Sequence, residues 1–416
     1  MKKFFVLIAT IISFLSLNSP VASAVNVPQS FTFTGSGYGH GVGLSQIGAK
    51  GQALEGKSAT DILKYYFPGA DVVPVNDSQT IRVNIGHQLN SVSFIQSPNG
   101  SFQISSDSLT TTAIDTSSVV SFQISGKTIN ASAKGVSGTI NQLGTSAMWN
   151  LAWGTGTEYV MERFEGNTVK LNHGFISLRA VSVKGIGYRI EVTNSINLHD
   201  EYLWGISEVP SSWPEAALES QIIASRTYAL SRMGSIRKDC DCHVFNTKYD
   251  QNFLGYLKEV EPKYGSIWKS AVTSTDVGLD QGLAITFQGQ PISVYFFSSS
   301  GGITQRAIDV WGTDIPYLSS VPDPWSLDQK LNPKYFKWKR VVDQATMAQA
   351  FGLPDIYKYV IGKRTATGSV LTITGYSTTG IRKSLSVSAF KVAVKLPSSW
   401  FNIPSAVQVP DTSTTN

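Results

Sequence analysis

Glu208 is the residue in this chain best placed to act as an acid. It lies in EYLWGISEVPSSWPEAALESQIIASRTY, residues 201–228, in a turn just ahead of a long helical pattern. A lone carboxylic acid can give a proton to a leaving oxygen and later take one back, provided its surroundings hold its pKa above the usual carboxylate range. Trp204, Val209 and Trp213 are the apolar neighbours expected to do this by desolvation, and the amino terminus of the following helix would act the other way. At about 100° per residue, Gln221, Ser225, Tyr228 and Arg232 share one sector of that helix, with Leu218, Ile222 and Ala229 on an adjoining apolar stripe. The row offers hydrogen-bonding groups to Glu208 or to its substrate. Arg226 points away from it, so an ion pair with Glu219 is the alternative to a binding role.

A second candidate cluster is GYGHGVGLSQIGAKGQALEGKSATDILKYYFPGA, residues 37–70. Closely spaced glycines around His40 let backbone approach a ligand or another strand. His40, Ser45 and Gln46 are its candidate binding residues. The third cluster is KDCDCHVF, which holds the two cysteines of the chain, Cys240 and Cys242, beside His243. Three such ligands in four residues suit a Zn²⁺ site, but the Cys-x-Cys spacing and the want of a fourth ligand suit a local disulfide equally. No cofactor is required by the acid chemistry.

These groups need elements to carry them. Ser212 with Glu215 reads as a capping box, Pro214 fits a first helical turn, and Arg232 with Gly234 marks the far end. Residues 59–66 read as a short amphipathic helix stopped by Pro68 and Gly69. From about Thr80 to Asn194 apolar residues alternate with Ser, Thr or Asn, the period of a β-rich region with turns at Asn99-Gly100 and Gly126-Lys127. Residues 343–352 carry a helical pattern, whereas GSVLTITGYS and SVSAFKVAVKLP read as strands. The fold class expected is α+β, divided into residues 1–24, 25–76, 77–171, 172–405 and 406–416. The second of these must pack back on the later domain if both motifs serve one site, the third is a β-rich scaffold or sugar-binding module, and the last is a tail poor in core-forming residues.

Residues 1–24 have the form of a secretory signal: Lys2 and Lys3, an apolar run, then Ala22-Ser23-Ala24. The run is short of the ~20 residues of a membrane span, and no later stretch approaches that length, so no stable span is expected once the signal is removed. Loss of Lys2 and Lys3 lowers the formal charge from +5 to +3. That balance excludes a typical nucleic-acid binder and suits a secreted protein beside an anionic cell wall.

The two motifs together resemble the stage II sporulation protein D and amidase-enhancer family (SpoIID/LytB). The pattern is carried by Tyr202, Leu203, Gly205, Glu208, Trp213, Pro214, Ala217, Leu218, Gln221, Arg226, Thr227 and Tyr228, and by GHGVGLSQ followed by ILKYYFPG. Glu219 stands where the family usually has lysine, and the glycine motif precedes the glutamate segment, an order similar to wall proteins of high-GC Gram-positive bacteria. DQNFLGY, LAITFQGQPISVYFFSSSGG, VWGTDIPYLSSVPD and KLPSSWFNI look like later family blocks. The resemblance implies a SpoIID-like catalytic domain with a β-rich inserted region, and a lytic transglycosylase acting on peptidoglycan glycan strands. In that chemistry Glu208 alone serves as acid and then base, leaving 1,6-anhydro-N-acetylmuramic acid ends. Substrate would be held by His40, Ser45, Gln46, Gln221, Ser225, Arg226 and Tyr228. A Cys/His metal site near Cys240, Cys242 and His243 occurs in some relatives. The alternative the family offers is a non-catalytic, peptidoglycan-binding enhancer of a cell-wall amidase.

Overall fold

The computed structural model describes residues 26–97, 100–107, 112–114, 118–154 and 158–402. The signal segment, the tail from residue 406, and Asn99 of one expected turn lie outside the described residues.

The period-of-two sequence builds two sheets. One has seven strands in the order Val244–Phe245, Thr80–Leu89, Gly187–Asn197, Phe175–Val183, Met148–Ala152, Phe102–Ser106, Thr112–Ile114; the other has six, Ile140–Ser146, Thr128–Lys134, Val119–Ser125, Ser91–Gln96, Val160–Phe164, Asn167–Leu171. Their alternating apolar residues meet face to face. Phe94, Phe122 and Ile104 are fully buried, and Trp149 reaches from one sheet to the other, its indole N–H donating to the Ile129 carbonyl at 2.9 Å. The division expected at residue 171 runs through the larger sheet: Thr80–Leu89 pairs along Gly187–Asn197, and Met148–Ala152 along Phe175–Val183. Sheet pairing is non-local, so a change in pattern along the chain does not mark its edge.

Three helices stack beside this sandwich. α1 (Gln46–Leu54) and α2 (Ala59–Tyr66) pack on α3 (Glu215–Arg232), which also rests on helix Gly265–Ser274 and strand Gln281–Phe287. α2 has the expected bounds, and its amino terminus is closed by a reciprocal Ser58–Asp61 capping box. α3 starts differently from the expectation. Pro214 is the cap residue, no side chain caps the helix, and Ser212 sits exposed in the preceding turn, where the Trp213 N–H donates to the Pro210 carbonyl. Almost every residue of α3 from Ala217 to Ala229 is buried, so the helix is a central strut and its polar row is largely internal.

A second hydrophobic core lies within the span expected to be one domain of residues 172–405. Strand Ser30–Gly35 pairs antiparallel with Trp338–Asp343, and Phe33, fully buried, meets Phe390 and Phe401 edge-on. The amino-terminal segment is thus shared: its strand completes the C-terminal core, while α1 and α2 join the main one. Helix Gln344–Phe351 forms as expected, capped by Asp343, whereas residues 387–393, expected as strand, are helix Val387–Ala393, capped by Ser386 and anchored by Phe390. No described helix is long and apolar enough to cross a membrane.

Candidate functional site

The turn that carries Glu208 is fixed by pairing with a distant loop. Ile206 and Phe253 form a β-bridge, the Ser207 N–H donates to the Asn252 carbonyl at 2.8 Å, and the Asn252 amide returns a bond to the Ser207 carbonyl at 2.7 Å. The Asn252 backbone N–H then donates to Glu208 Oε1 at 2.6 Å. This bond favours the carboxylate, but burial outweighs it and raises the pKa of Glu208 above the ordinary 4.5. The expected apolar shield is not the one that lines this place. Trp204 packs at a tilt against His173 and lies under the Lys269 ammonium at 3.8 Å, and Trp213 lines a separate depression with Leu218. Tyr295, Phe296, Phe297 and Trp311 wall the cleft into which Glu208 faces, a space of about 450 Å³.

The glycine motif lines the same cleft through Tyr38, Gly39 and His40. Gly37, Gly39, Gly41 and Gly43 all have φ between 81° and 118°, and a side chain on Gly43 would strike the Tyr295 carbonyl. The close approach they permit is to a strand: Tyr38 bridges Ser299, and Leu44–Ser45 runs parallel to Phe296–Phe297. His40 Nδ1 accepts from the Val42 N–H at 3.1 Å, which leaves Nε2 to carry the ring proton and donate to the Phe296 carbonyl, also at 3.1 Å. Burial, with Lys391 nearby, lowers the His40 pKa to about 4. His40 is therefore a neutral, doubly anchored wall of the cleft and no proton shuttle at neutral pH.

Of the remaining expected site residues, Gln46 and Tyr228 line the same cleft. Ser45 does not. It is fully buried as the cap of α1, accepting from the Gly48 N–H at 3.2 Å and bonded to Ser326. Gln221 and Ser225 lie one layer behind the wall: Gln46 donates to Gln221 Oε1 at 3.1 Å, and Gln221 in turn donates to Ser225 at 3.2 Å. Arg226 leaves the site altogether. It is fully buried, donating from Nε to Asp77 at 2.6 Å, from Nη2 to Asp276 at 2.7 Å and from Nη1 to Thr275 at 2.8 Å. Gly282 makes room for it, since a side chain there would meet the guanidinium. Nor does Arg226 pair with Glu219, whose Oε1 accepts from Ser274.

Sequence reasoning missed a second carboxylate. Asp250 lines the cleft with Glu208, its Oδ1 accepting from the Tyr228 hydroxyl at 2.6 Å and its Oδ2 from the Phe245 N–H at 2.8 Å and Arg237 Nη1 at 2.9 Å. Tyr38, Lys248, Tyr249 and Trp311 were also missed, and Arg232, whose guanidinium lies 4.9 Å over the Tyr228 ring, belongs here too. The available signals were the DQNFLGY, VYFF and VWGTD stretches.

Cys240 and Cys242 form a disulfide. Neither sulfur is then a thiolate, and His243 Nδ1 accepts from the Arg82 N–H at 3.0 Å, so a zinc ion on Cys240, Cys242 and His243 does not fit the residues as arranged. Among the described residues no other group of His, Cys, Asp and Glu is placed to hold a metal. The loop instead braces the cleft: Arg237, which bridges Cys242 through its backbone, is the residue that holds Asp250.

Comparison with known proteins agrees with the sequence resemblance. Residues 187–278 match the family described as Stage II sporulation protein, a span that includes Glu208, α3 and Asp250. The chain is 30% identical over 218 residues to stage II sporulation protein D of Bacillus subtilis (strain 168), covering 50% of this chain and 62% of that protein. It is 32% identical over 144 residues to the protein of the same name from Bacillus amyloliquefaciens, covering 33% and 40%. An amidase enhancer of Bacillus subtilis (strain 168) is 30% identical over 117 residues, 28% of this chain and 14% of that one. The chain thus spans less than two thirds of the length of these curated relatives. No solved structure matches it.

Proposed function

Since the chain belongs to the SpoIID/LytB family, we propose that it is an extracytoplasmic lytic transglycosylase that cuts the β-1,4 bond between N-acetylmuramic acid and N-acetylglucosamine in peptidoglycan glycan strands. The observation that carries this reading is the division of labour between the two carboxylates of the cleft. Glu208 accepts one hydrogen bond, from the Asn252 N–H, and burial raises its pKa above 4.5, the direction that suits a general acid. Asp250 already accepts from Tyr228, Phe245 and Arg237, which leaves it less free than Glu208 to attack a sugar or activate water.

In the reaction Glu208 protonates the glycosidic oxygen as the bond from the muramyl C1 breaks. The muramyl C6 hydroxyl then bonds to C1, and its proton passes to the Glu208 carboxylate, restoring the acid. No water is consumed, and the product end is a 1,6-anhydro sugar. Gln46, Tyr228 and the aromatic wall of Tyr295 and Trp311 would hold the sugars, with amide and hydroxyl groups meeting their polar edges and rings meeting their C–H faces.

The second reading, a non-catalytic enhancer of a cell-wall amidase, is supported by the relative of that name. Mass spectrometry of products from intact and peptide-stripped glycan, with the Glu208→Gln protein beside the parent, decides between them. Glu208-dependent anhydro ends support the transglycosylase, and reducing ends would point to a hydrolase. An absence of cleavage, with glycan binding and amidase stimulation retained, would establish the enhancer.

A further inference from the structure

The cleft at Glu208 does not end at Asp250. A second hollow of about 1040 Å³ adjoins it, and Arg232, Tyr249 and Asp250 line both. One wall of this second arm is the end of strand Val244–Phe245 and the turn after it, with Phe245, Asn246 and Thr247. The other comes from the β-rich insertion, through the hairpin of strands Val160–Phe164 and Asn167–Leu171, with Phe164, Asn167 and Thr168. Each hollow is of the size of a ligand-binding cleft, about 300–1,000 Å³.

The lining has the chemistry of a carbohydrate groove. Phe245 is held between the His87 ring at 5.0 Å and the Arg237 guanidinium at 4.6 Å, and side-chain amides and hydroxyls surround it. Tyr249 stands at the joint of the two arms with 82% of its surface exposed. An aromatic ring left in water in a cleft gains by covering itself with the face of a ligand. Arg232 stands beside it, exposed, and no carboxylate among the described residues forms an ion pair with it.

We propose that this arm holds the glycan strand beyond the bond being cut, so that the β-rich insertion is part of the binding surface and the protein recognises strands of several N-acetylhexosamines rather than a disaccharide. This rests on the glycan-cleaving reading of Glu208, and the test separates the two. Calorimetry on the Glu208→Gln protein measures affinity for alternating N-acetylglucosamine/N-acetylmuramic acid oligomers of two, four and eight sugars. The same titrations are made with Thr168→Trp or Thr247→Trp added, plugs placed on opposite walls at exposed positions where bulk does not enter a core. The expected result is a gain of at least about tenfold from the shortest to the longest oligomer, lost in the plugged proteins, whose disaccharide affinity and Tm match those of the unplugged one. Equal affinity at every length, or a length gain that survives both plugs, overturns the arm while leaving the Glu208 site standing. No binding at any length removes both.

Discussion

Glu162 is a liability inside the β-sandwich, and its removal should stabilise the protein at neutral pH. Its side chain is fully buried on strand Val160–Phe164, opposite Phe94 and Val169 in the neighbouring strands, and a methyl group on Gly86 of the facing sheet would sit 3.0 Å from its Oε1. Neither carboxyl oxygen has a hydrogen-bond partner among the described residues, and burial holds its pKa well above 4.5. The folded state therefore keeps Glu162 protonated under conditions in which the unfolded chain ionises it. With the folded pKa raised, folding is favoured below about pH 4.5, and that advantage is lost as pH rises from there toward the folded pKa. Taking up that proton costs ~1.36 kcal/mol for each pH unit above about 4.5, up to the folded pKa. Glu162→Gln keeps the shape and removes the titration. Its stability should equal the parent's near pH 4 and exceed it by an amount that grows as pH rises toward neutral, on the order of a kcal/mol or more. Urea unfolding at several pH values measures this, read by hydrogen-exchange mass spectrometry on peptides covering residues 160–171 so that the sandwich is followed apart from the C-terminal core. Parallel pH profiles for the two proteins would refute the reasoning, because they would mean that Glu162 finds a compensating partner or water in the fold.

Arg226→Met should cost about 3–5 kcal/mol, because it leaves buried Asp77 without its main counter-charge; a variant with the parent's Tm but no cleavage would return Arg226 to the site. The His40 imidazole should titrate near pH 4 by NMR and stay neutral across the working range, whereas titration near 6.5 would contradict its double anchoring. Asp250→Asn should slow cleavage, through loosened Tyr228 and Arg237, while the residual product still carries anhydro ends. A switch to reducing ends, or complete loss with the fold intact, would give Asp250 a direct part in the chemistry.

The features legible in the sequence were those set by neighbours along the chain. α2 has its expected bounds because Ser58 and Asp61 cap it and Pro68 and Gly69 stop it, all within one turn of its ends. Residues 387–393 read as strand by alternation, yet the Ser386 cap and the burial of Phe390 against Phe33 make them helix, a tertiary contact overriding a local pattern. At the site, helical phase placed Gln221, Ser225 and Tyr228 on one face correctly but carried no information on depth. The first two are sealed behind Gln46, and Tyr228 reaches the cleft. Asp250 was illegible as Glu208's companion because the two are brought together by the Ile206–Phe253 bridge and the bonds of Asn252, a pairing between loops with no period to betray it.

That bridge also explains how two carboxylates lining one cleft come to have different sets of hydrogen-bond donors. The loop that follows Asp250 gives Glu208 a single N–H, from Asn252, while Asp250 itself takes a hydroxyl, a backbone N–H and a guanidinium. Each donor favours the charged form, and at Glu208 a single one opposes the burial that raises its pKa. Arg237, which supplies the charged member of the larger set, is fixed by its pairing with Cys242 beside the disulfide. The segment that looked in sequence like a metal site therefore braces the cleft from a distance, through the Asp250 carboxylate that Arg237 holds.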